Sequence, residues 1–381
     1  MLEQYKLVMP KTVYGGQNAI NNVREIVEDV KHVAIFTYKS VYESGLINPI
    51  TDILSEKNIP FTLFEDLPVE PTYLQAQEVV DRFNSSEADF IIAVGGGSVI
   101  DVAKLVSVLK TDRYTVKDLL ETPDLAKKTV RTLMIPTTAG TGAEATPNAI
   151  VTVPEKSLKV GIVSNEMIAD YVILDAEMIR NLPRSIAAST GIDALAHAIE
   201  CYTSKKANPF SDLYSFGALE LIIKNIEAAC DGDMNAKSNM LLASFYGGIA
   251  ITTSGTTGVH ALSYPLGGKY HIPHGISNAI MLMPVLRFNE PYIRPLLANA
   301  YNRLWPFGNI ENDEEKSALV LDYIERIIKN LDIPQSLKSF GINEDDVDEL
   351  VKGGMEVKRL LVNNMREITE ADARSMYLQV L

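Results

Sequence analysis

The chain is poor in several features on which whole classes of protein depend. Its 381 residues include two cysteines, Cys201 and Cys230, which excludes a four-thiolate zinc site and leaves no closely spaced redox pair. The formal net charge of −14 argues against nucleic-acid and membrane partners, because surfaces that bind these polyanions need clustered Lys and Arg. No apolar run reaches the roughly 20 residues of a membrane span. Residues 1–16 lack the basic and then apolar pattern of a signal peptide, so we expect a cytoplasmic protein.

The N-terminal half of the chain alternates short β-rich runs with helical patterns. The runs typical of buried strands are VAIFT (33–37), FTLF (61–64), FIIAV (90–94), TLMI (132–135), AIVTV (149–153), KVGIV (159–163) and YVILD (171–175). Helix-like segments, among them 72–84 and 99–110, lie between the first four runs. This alternation predicts a Rossmann-like α/β domain in which helices cover both faces of a parallel sheet.

The pattern changes after NLPRS (181–185). From there to residue 381 the sequence is rich in Ala, Leu, Ile and Glu with helical periodicity, and strand-like runs are largely absent. We place the boundary at Pro183, which predicts an α/β domain over 1–182 and an all-helical domain over 183–381.

Three glycines stand where a predicted strand passes into a helix, in FIIAVGGGSVIDVAK (90–104). Glycine lets the backbone approach a phosphate closely, and a helix N-terminus offers free N–H groups and partial positive charge. We expect Ser98 to cap this helix and Asp101 to lie in its first turn. A plain tight turn is the alternative, since the G-x-G-x-x-G fingerprint is absent.

A second loop of small residues, PTTAGTGAEATPN (136–148), follows the strand-like TLMI. It offers the hydroxyls of Thr137, Thr138 and Thr141 together with the flexible backbone at Gly140. Two such loops beyond the carboxyl ends of parallel strands are typical of a crevice for a phosphate-bearing ligand.

The sequence also contains a candidate metal site. In TGIDALAHAIE (190–200), Asp193 and His197 are spaced i and i+4, so they share one face of the predicted helix. His260 and His274 follow in HALSYPLGGKYHIPHG (260–275), the latter in a predicted loop after Pro273. One carboxylate and three imidazoles suit Fe(II) or Zn(II) better than Mg(II) or Ca(II), which prefer oxygen. A hydrogen-bonded Asp–His pair without metal remains the alternative.

These motifs resemble those of the iron-containing (group III) alcohol dehydrogenases, over essentially the whole chain. The matching segments are GGGSVID (95–101), PTTAGTGAE (136–144), GIDALAHAIE (191–200), HALSYPLG (260–267) and PHGISNAI (273–280). The resemblance implies the architecture that this family shares with dehydroquinate synthase, with a dinucleotide-binding domain over 1–182 and a metal-binding catalytic domain over 183–381.

The resemblance also implies roles for individual residues. The metal ligands would be Asp193, His197, His260 and His274. The residues lining NAD(H) or NADP(H) would be Tyr38, Glu70, Gly95, Gly96, Gly97, Ser98, Asp101, Thr137, Thr138, Gly140, Thr141, Asn148 and Lys159. The implied reaction is reversible hydride transfer between an alcohol carbon and the nicotinamide, with Fe(2+) or Zn(2+) as Lewis acid. A homodimer or higher homo-oligomer is also implied.

Three positions depart from the family pattern. Tyr38 stands where NAD-preferring members often carry Asp, and Glu70 stands where many members have Asn, so the choice between NAD and NADP stays open. Tyr264 replaces a histidine that faces the nicotinamide in many members. His271 is therefore a candidate proton relay, with a loop histidine bonded to backbone as the alternative. The pattern around Tyr264, together with RLLVNN (359–364), looks most like members acting on short ω-hydroxy acids such as 4-hydroxybutyrate.

Two further interpretations compete with a dehydrogenase of short aldehydes and primary alcohols. The first is a zinc-dependent polyol oxidoreductase similar to glycerol dehydrogenase, which the one-Asp, three-His set disfavours. The second is a non-catalytic protein that binds nucleotide or metal, which would have no need for all four ligands.

Overall fold

The computed structural model describes residues 4–156 and 158–381. Within these residues the chain forms two compact units, Val8–Leu182 and Pro183–Leu381, and residues 4–7 belong to the second. No helix of the described part combines the length and apolar character needed to cross a membrane.

The first unit is built on a parallel sheet of six strands, as far as the described residues show. The strands of the first unit are β1 (Thr12–Gly15), β2 (Val33–Phe36), β3 (Phe61–Phe64), β4 (Phe90–Gly95), β5 (Arg131–Pro136), β6 (Asn148–Val153), β7 (Leu158–Val163) and β8 (Tyr171–Leu174). The sheet has the order β1-β8-β5-β4-β2-β3. Two interior strands, β2 and β4, are buried along their whole length, which explains their continuous apolar runs.

Helices cover the sheet between the strands. They are α1 (Val23–Ile26), α2 (Lys39–Glu43), α3 (Asn48–Glu56), α4 (Tyr73–Asn84), α5 (Gly97–Val108) and α6 (Val116–Glu121). The short helices α1 and α3 pack their apolar residues into one core with the strands, around Ile35, Ile92 and Ile135. The prediction of a parallel α/β domain is confirmed.

The chain changes direction within the sheet between β2 and β4. From β2 it moves outward to β3 and then returns to the other side of β2, where β4 lies. The carboxyl ends of strands on either side of such a switch point leave a crevice in which ligands bind in open α/β sheets. Tyr38 follows β2 and the glycine loop follows β4, so both lie at this crevice.

Three sequence expectations differ from the structure here. The runs 149–153 and 159–163 pair with each other as the antiparallel hairpin β6–β7, outside the parallel sheet. Ser98 does not cap α5, because the helix already begins at Gly97 with Gly96 as its N-cap, and no described side chain bonds to the cap position. For the same reason Asp101 lies beyond the first turn of α5.

The second unit is helical throughout its described residues. Its helices are α7 (Arg184–Tyr202), α8 (Pro209–Cys230), α9 (Met234–Ser254), α10 (Gly258–Tyr270), α11 (His274–Leu304), α12 (Asp313–Asn330), α13 (Val347–Glu356), α14 (Lys358–Leu361) and α15 (Glu370–Gln379). The prediction of a helical region after the sheet is confirmed.

Helix α7 lies at the centre of this unit and packs against α8, α9 and α11. Its residues 191–202 are buried without interruption, because neighbouring helices cover it on all sides. The start of α11 crosses α7 so closely that a Cβ atom on Gly275 would lie 2.1 Å from the backbone oxygen of Ser189. Glycine at this position therefore allows the N-terminus of α11, where His274 stands, to approach α7.

Candidate metal centre and cofactor loops

Four side chains from three helices converge in the second unit. Asp193 and His197 lie one turn apart on α7, His260 lies in the first turn of α10, and His274 is the first residue of α11. One donor atom from each lies within 4.8 Å of every other. Tertiary packing therefore brings together all four candidate ligands that the sequence suggested, and His274 starts a helix where the sequence predicted a loop.

The distances within this cluster suit a small divalent cation. Asp193 Oδ1 lies 3.7 Å from Nε2 of both His197 and His260, and 3.5 Å from Nε2 of His274. Four donors placed about 2.1 Å from a cation in a tetrahedron would be about 3.4 Å apart. One carboxylate oxygen and three imidazole nitrogens form a donor set suited to Fe(II) or Zn(II).

A second buried carboxylate holds one of the histidines. Glu200 Oε2 accepts a hydrogen bond from Nδ1 of His260. Its Oε1 accepts from the Thr257 backbone N–H at 3.0 Å, the Thr257 hydroxyl at 2.7 Å and the Val259 backbone N–H at 2.7 Å. With the proton on Nδ1, the Nε2 lone pair of His260 is directed to the cluster. This is the arrangement in which an outer carboxylate orients a metal-binding imidazole.

Asn278, one turn after His274 on α11, also reaches into the cluster. Its Nδ2 lies 2.7 Å from Asp193 Oδ1 and 3.2 Å from Nε2 of both His260 and His274. Its buried Oδ1 has no hydrogen-bond partner among the described residues. The Asn278 N–H group thus points at the oxygen and nitrogen atoms that would bind a metal. A bound cation would satisfy the same lone pairs.

The electrostatics of the cluster favour positive charge. Burial alone would raise the pKa of Asp193, but the charges of His197, His274 and His260 hold that pKa well below its usual range. Burial lowers the pKa of His260, but the Glu200 charge and the bonds to both carboxylates raise it to about 10. Two buried carboxylates therefore attract a proton or a metal cation to this place.

The cluster is accessible from one side. His274 keeps 31% of its side-chain surface exposed, whereas His197 keeps 7% and His260 3%. The ring of Tyr264, on α10, lies beside His274 with 6.0 Å between the ring centroids. A small substrate would therefore meet the cluster on the side of His274 and Tyr264.

His271 is not part of this constellation. It ends α10 in the left-handed conformation with φ 54° and is exposed, and no described residue forms a hydrogen bond with its ring. The backbone-bonded alternative is thus absent among the described residues, and its role as a proton relay stays a prediction.

In the first unit, the two small-residue loops contact each other at the ends of β4 and β5. The Thr137 N–H donates to the Gly95 carbonyl at 3.0 Å. A Cβ atom on Gly97 would lie 3.0 Å from Thr141 Cγ2, and one on Gly96 would lie 3.4 Å from Thr138 Oγ1. Glycine at these positions thus keeps the threonine side chains against the start of α5, where the helix presents uncapped N–H groups. This cradle suits a pyrophosphate.

Four of the predicted cofactor residues form a continuous set of contacts beside the glycine loop. The Glu70 N–H donates to Ser98 Oγ at 3.2 Å, and the Glu70 carboxylate pairs with Lys159 Nζ at 2.6 Å. Burial raises the pKa of Tyr38, and its interaction with the Ser98 hydroxyl partly offsets the effect. Residues from the segment after β2, the loop before α4, α5 and β7 therefore meet at the switch point.

Asp101 has a structural environment that the sequence did not suggest. Its Oδ1 accepts from Lys104 Nζ at 3.2 Å, and its Oδ2 accepts from the Ile150 N–H at 3.1 Å. The fully buried Lys104 also donates to Thr146 Oγ1 at 3.0 Å and to the Asn148 carbonyl at 2.7 Å. This buried pair ties α5 to the hairpin that carries Asn148 and Lys159.

Sequence reasoning missed Glu200 and Asn278. Glu200 follows His197 by three residues, so helical spacing could have placed it on the same face of α7. Asn278 follows His274 by four residues, but the loop predicted around His274 concealed that relation. Gly140, in contrast, was named with its neighbours and lies buried in the second loop.

Comparisons with known proteins agree with both units. A family model described as "Iron-containing alcohol dehydrogenase" matches residues 10–176, and one described as "Fe-containing alcohol dehydrogenase family, C-terminal" matches residues 187–381. Long-chain-alcohol dehydrogenase 1 of Geobacillus thermodenitrificans is 32% identical over 379 residues, which cover 98% of this chain and 95% of the relative. The 4-hydroxybutyrate dehydrogenase of Clostridium kluyveri is 32% identical over 321 residues, covering 81% of this chain and 83% of the relative.

A solved structure shares the fold along the chain. Sulfoacetaldehyde reductase from Bifidobacterium kashiwanohense, in complex with NAD+, superposes with a TM-score of 0.88 at 25% identity and covers 99% of each chain. Family models match nearly the whole sequence, and the expected donor set is assembled in the helical unit. The chain therefore belongs to the iron-containing alcohol dehydrogenase family of oxidoreductases.

Proposed function

We propose that this chain is a metal-dependent dehydrogenase that transfers a hydride between NAD(P)H and a short aldehyde. The substrate type is succinic semialdehyde, which is reduced to 4-hydroxybutyrate. The convergence of one carboxylate and three imidazole donors within 4.8 Å carries the proposal. The similarity to a 4-hydroxybutyrate dehydrogenase supports the substrate type.

The proposal assigns a task to each part of the cluster. Asp193, His197, His260 and His274 would hold Fe(2+), with Zn(2+) as the alternative that the same donors accept. When bound, the cation supplies Lewis-acid polarisation of the substrate oxygen, and the nicotinamide supplies or accepts the hydride. Glu200 keeps the His260 proton on Nδ1, and the ring of Tyr264 borders the open side of the cluster.

The glycine and threonine loops of the first unit would bind the pyrophosphate. Uncapped N–H groups at the start of α5 donate to phosphate oxygens more readily than to neutral ligands. Lys159 pairs with Glu70, so the Glu70 charge is partly compensated and its repulsion of a 2′-phosphate is weakened. Kinetics with both NADH and NADPH will determine the preference.

Tyr264 and His271 stay candidates for moving the proton that accompanies hydride transfer. A homodimer or larger homo-oligomer and a cytoplasmic location also stay predictions. Light scattering during size-exclusion chromatography measures the oligomeric state, and fractionation of the source cells measures the location.

The test combines metal analysis with kinetics. The purified protein is loaded with Fe(2+) or Zn(2+), and the oxidation of NADH and NADPH is followed with a panel of aldehydes that includes succinic semialdehyde. His197→Ala is expected to lose bound metal and activity while retaining its fold by circular dichroism. His32→Ala is the matched control, because His32 lies in the first unit and bonds to the Thr62 hydroxyl.

Each alternative has its own result. Full activity of metal-free His197→Ala protein would refute the metal assignment. Turnover confined to glycerol and NAD+ in a parallel assay with zinc would favour a polyol oxidoreductase, and no turnover with any metal or substrate would favour a non-catalytic protein.

A further inference from the structure

An arginine lies next to the open side of the metal-ligand cluster. Arg359, on the short helix α14, donates to the Tyr264 hydroxyl over 3.4 Å, and its guanidinium carbon lies 5.9 Å from the centre of the Tyr264 ring. The same ring lies beside His274, with 6.0 Å between the ring centroids. Tyr264 is therefore a neighbour of both the guanidinium and a candidate ligand.

The backbone that carries Arg359 is held firmly to the rest of the helical unit. Asn363 Nδ2 donates to the Thr256 carbonyl at 3.0 Å, and Asn364 exchanges hydrogen bonds of 2.8 Å with Asn289. Both asparagines are buried. Because Thr256 lies just before α10, these bonds fix α14 relative to the helix that bears His260 and Tyr264. These bonds thus hold the backbone next to Arg359 in place.

Among the described residues, no carboxylate forms an ion pair with Arg359. No ion pair joins it to any residue within 4–156 or 158–381, although most other described arginines of this unit pair with Asp or Glu. Its side chain is exposed, so most of its five N–H donors face solvent. In a chain of net charge −14, a solvent-facing arginine beside the cluster is a local attraction for an anion.

We propose that Arg359 binds the carboxylate of the substrate and thereby selects aldehydes with an anionic far end over neutral aldehydes of the same length. This inference rests on the proposed function, since it presumes that the aldehyde reacts at the metal-ligand cluster. A guanidinium binds a carboxylate through two parallel N–H donors. Tyr264 positions the arginine by contact with its ring and its hydroxyl.

The test compares two aldehydes that differ in charge but not in chain length. Succinic semialdehyde and butanal are given to the wild-type, Arg359→Gln and Arg359→Lys proteins in their metal-loaded form. We expect Arg359→Gln to lower kcat/KM for succinic semialdehyde by about 10-fold or more while leaving kcat/KM for butanal nearly unchanged. Arg359→Lys should retain part of the preference, because it keeps the charge but loses the bidentate geometry.

Lys358→Gln is the matched control. Lys358 is the adjacent exposed cation, and it lines a different hollow between α13 and α15. Lys358→Gln should change kcat/KM for neither aldehyde by more than about twofold, because charges that do not touch the substrate are largely screened at 0.15 M salt. An equal loss in Lys358→Gln and Arg359→Gln would overturn the proposal in favour of a general effect of net charge.

A binding measurement separates this inference from the proposed function. Calorimetric titration with succinate, which has carboxylates but no aldehyde to reduce, should show binding to the wild-type protein that Arg359→Gln loses and Lys358→Gln keeps. If neither aldehyde is reduced, the proposed function fails, and the titration still decides whether Arg359 binds a carboxylate. If both aldehydes are reduced equally well, or Arg359→Gln slows both alike, the role of Arg359 is refuted while the dehydrogenase function stands.

Discussion

Glu200→Gln changes one carboxylate oxygen beside His260 into an NH₂ group and leaves the size of the side chain unchanged. In the wild-type protein one oxygen of Glu200 accepts from Thr257 and Val259, and the other accepts from His260 Nδ1. An amide can keep an acceptor in only one of these two places. If its oxygen stays with Thr257 and Val259, its NH₂ group faces His260.

That orientation forces a change of tautomer. His260 Nδ1 would have to accept a hydrogen bond, so the ring proton would move to Nε2, the nitrogen directed toward Asp193. A protonated Nε2 cannot bind a cation. In the opposite orientation the NH₂ group meets the N–H groups of Thr257 and Val259, which leaves donors facing donors in a buried place.

The expected magnitude follows from these contacts. A hydrogen bond to a charged group contributes about 1.5–3 kcal/mol. Removal of an outer carboxylate of this kind weakens metal affinity about 10- to 100-fold, which corresponds to about 1.4–2.7 kcal/mol. The two ranges overlap, so we expect Glu200→Gln to raise the metal dissociation constant by one to two orders of magnitude.

The assay is competition for metal with a chelator of known affinity, followed by metal analysis of the protein. Glu220→Gln is the control, because Glu220 on α8 is half-exposed and forms an ion pair with Lys224, one turn away on the same helix. Thermal unfolding of the metal-free proteins checks that the fold is retained. An unchanged metal affinity in folded Glu200→Gln protein would refute the reasoning that Glu200 sets the tautomer of His260.

Three further predictions concern the first unit. Lys104→Met leaves the Asp101 carboxylate buried beside an apolar side chain and should lower the free energy of unfolding by about 3–5 kcal/mol; urea unfolding should show a smaller loss when Asp101→Asn is added, and an equal loss would contradict the pairing. Burial raises the pKa of Glu144 to about 7 from 4.5, so the native state keeps a proton that the unfolded chain releases, and stability falls as the pH rises through that window. Glu144→Gln should therefore be more stabilising at pH 8 than at pH 4 by about 3 kcal/mol, and identical pH profiles for the two proteins would contradict it. Gly97→Val should weaken NADH binding in a fluorescence titration by about tenfold or more, about 1.4 kcal/mol, because its Cβ would lie 3.0 Å from Thr141; unchanged affinity would argue against the glycine cradle.

Periodicity in the sequence was sufficient to predict most helices and strands and part of the candidate metal site. The spacing of Asp193 and His197 placed both on one face of a helix, because the α-helix repeats every 3.6 residues. Apolar runs and glycines likewise predicted the parallel sheet and the loops that end β4 and β5. The hairpin β6–β7 escaped this reasoning, since a strand run by itself does not reveal its partner.

Only the tertiary structure decided which distant side chains meet. His260 and His274 reach Asp193 because α10 and α11 pack against α7, and that packing depends on contacts such as the one at Gly275. The same is true of Arg359, which stands 95 residues from the tyrosine that it contacts. Helical and strand patterns follow from local backbone geometry and the burial of one face, so a sequence displays them directly. A metal-ligand cluster depends on how helices cross, and that is set by the packing of the whole unit.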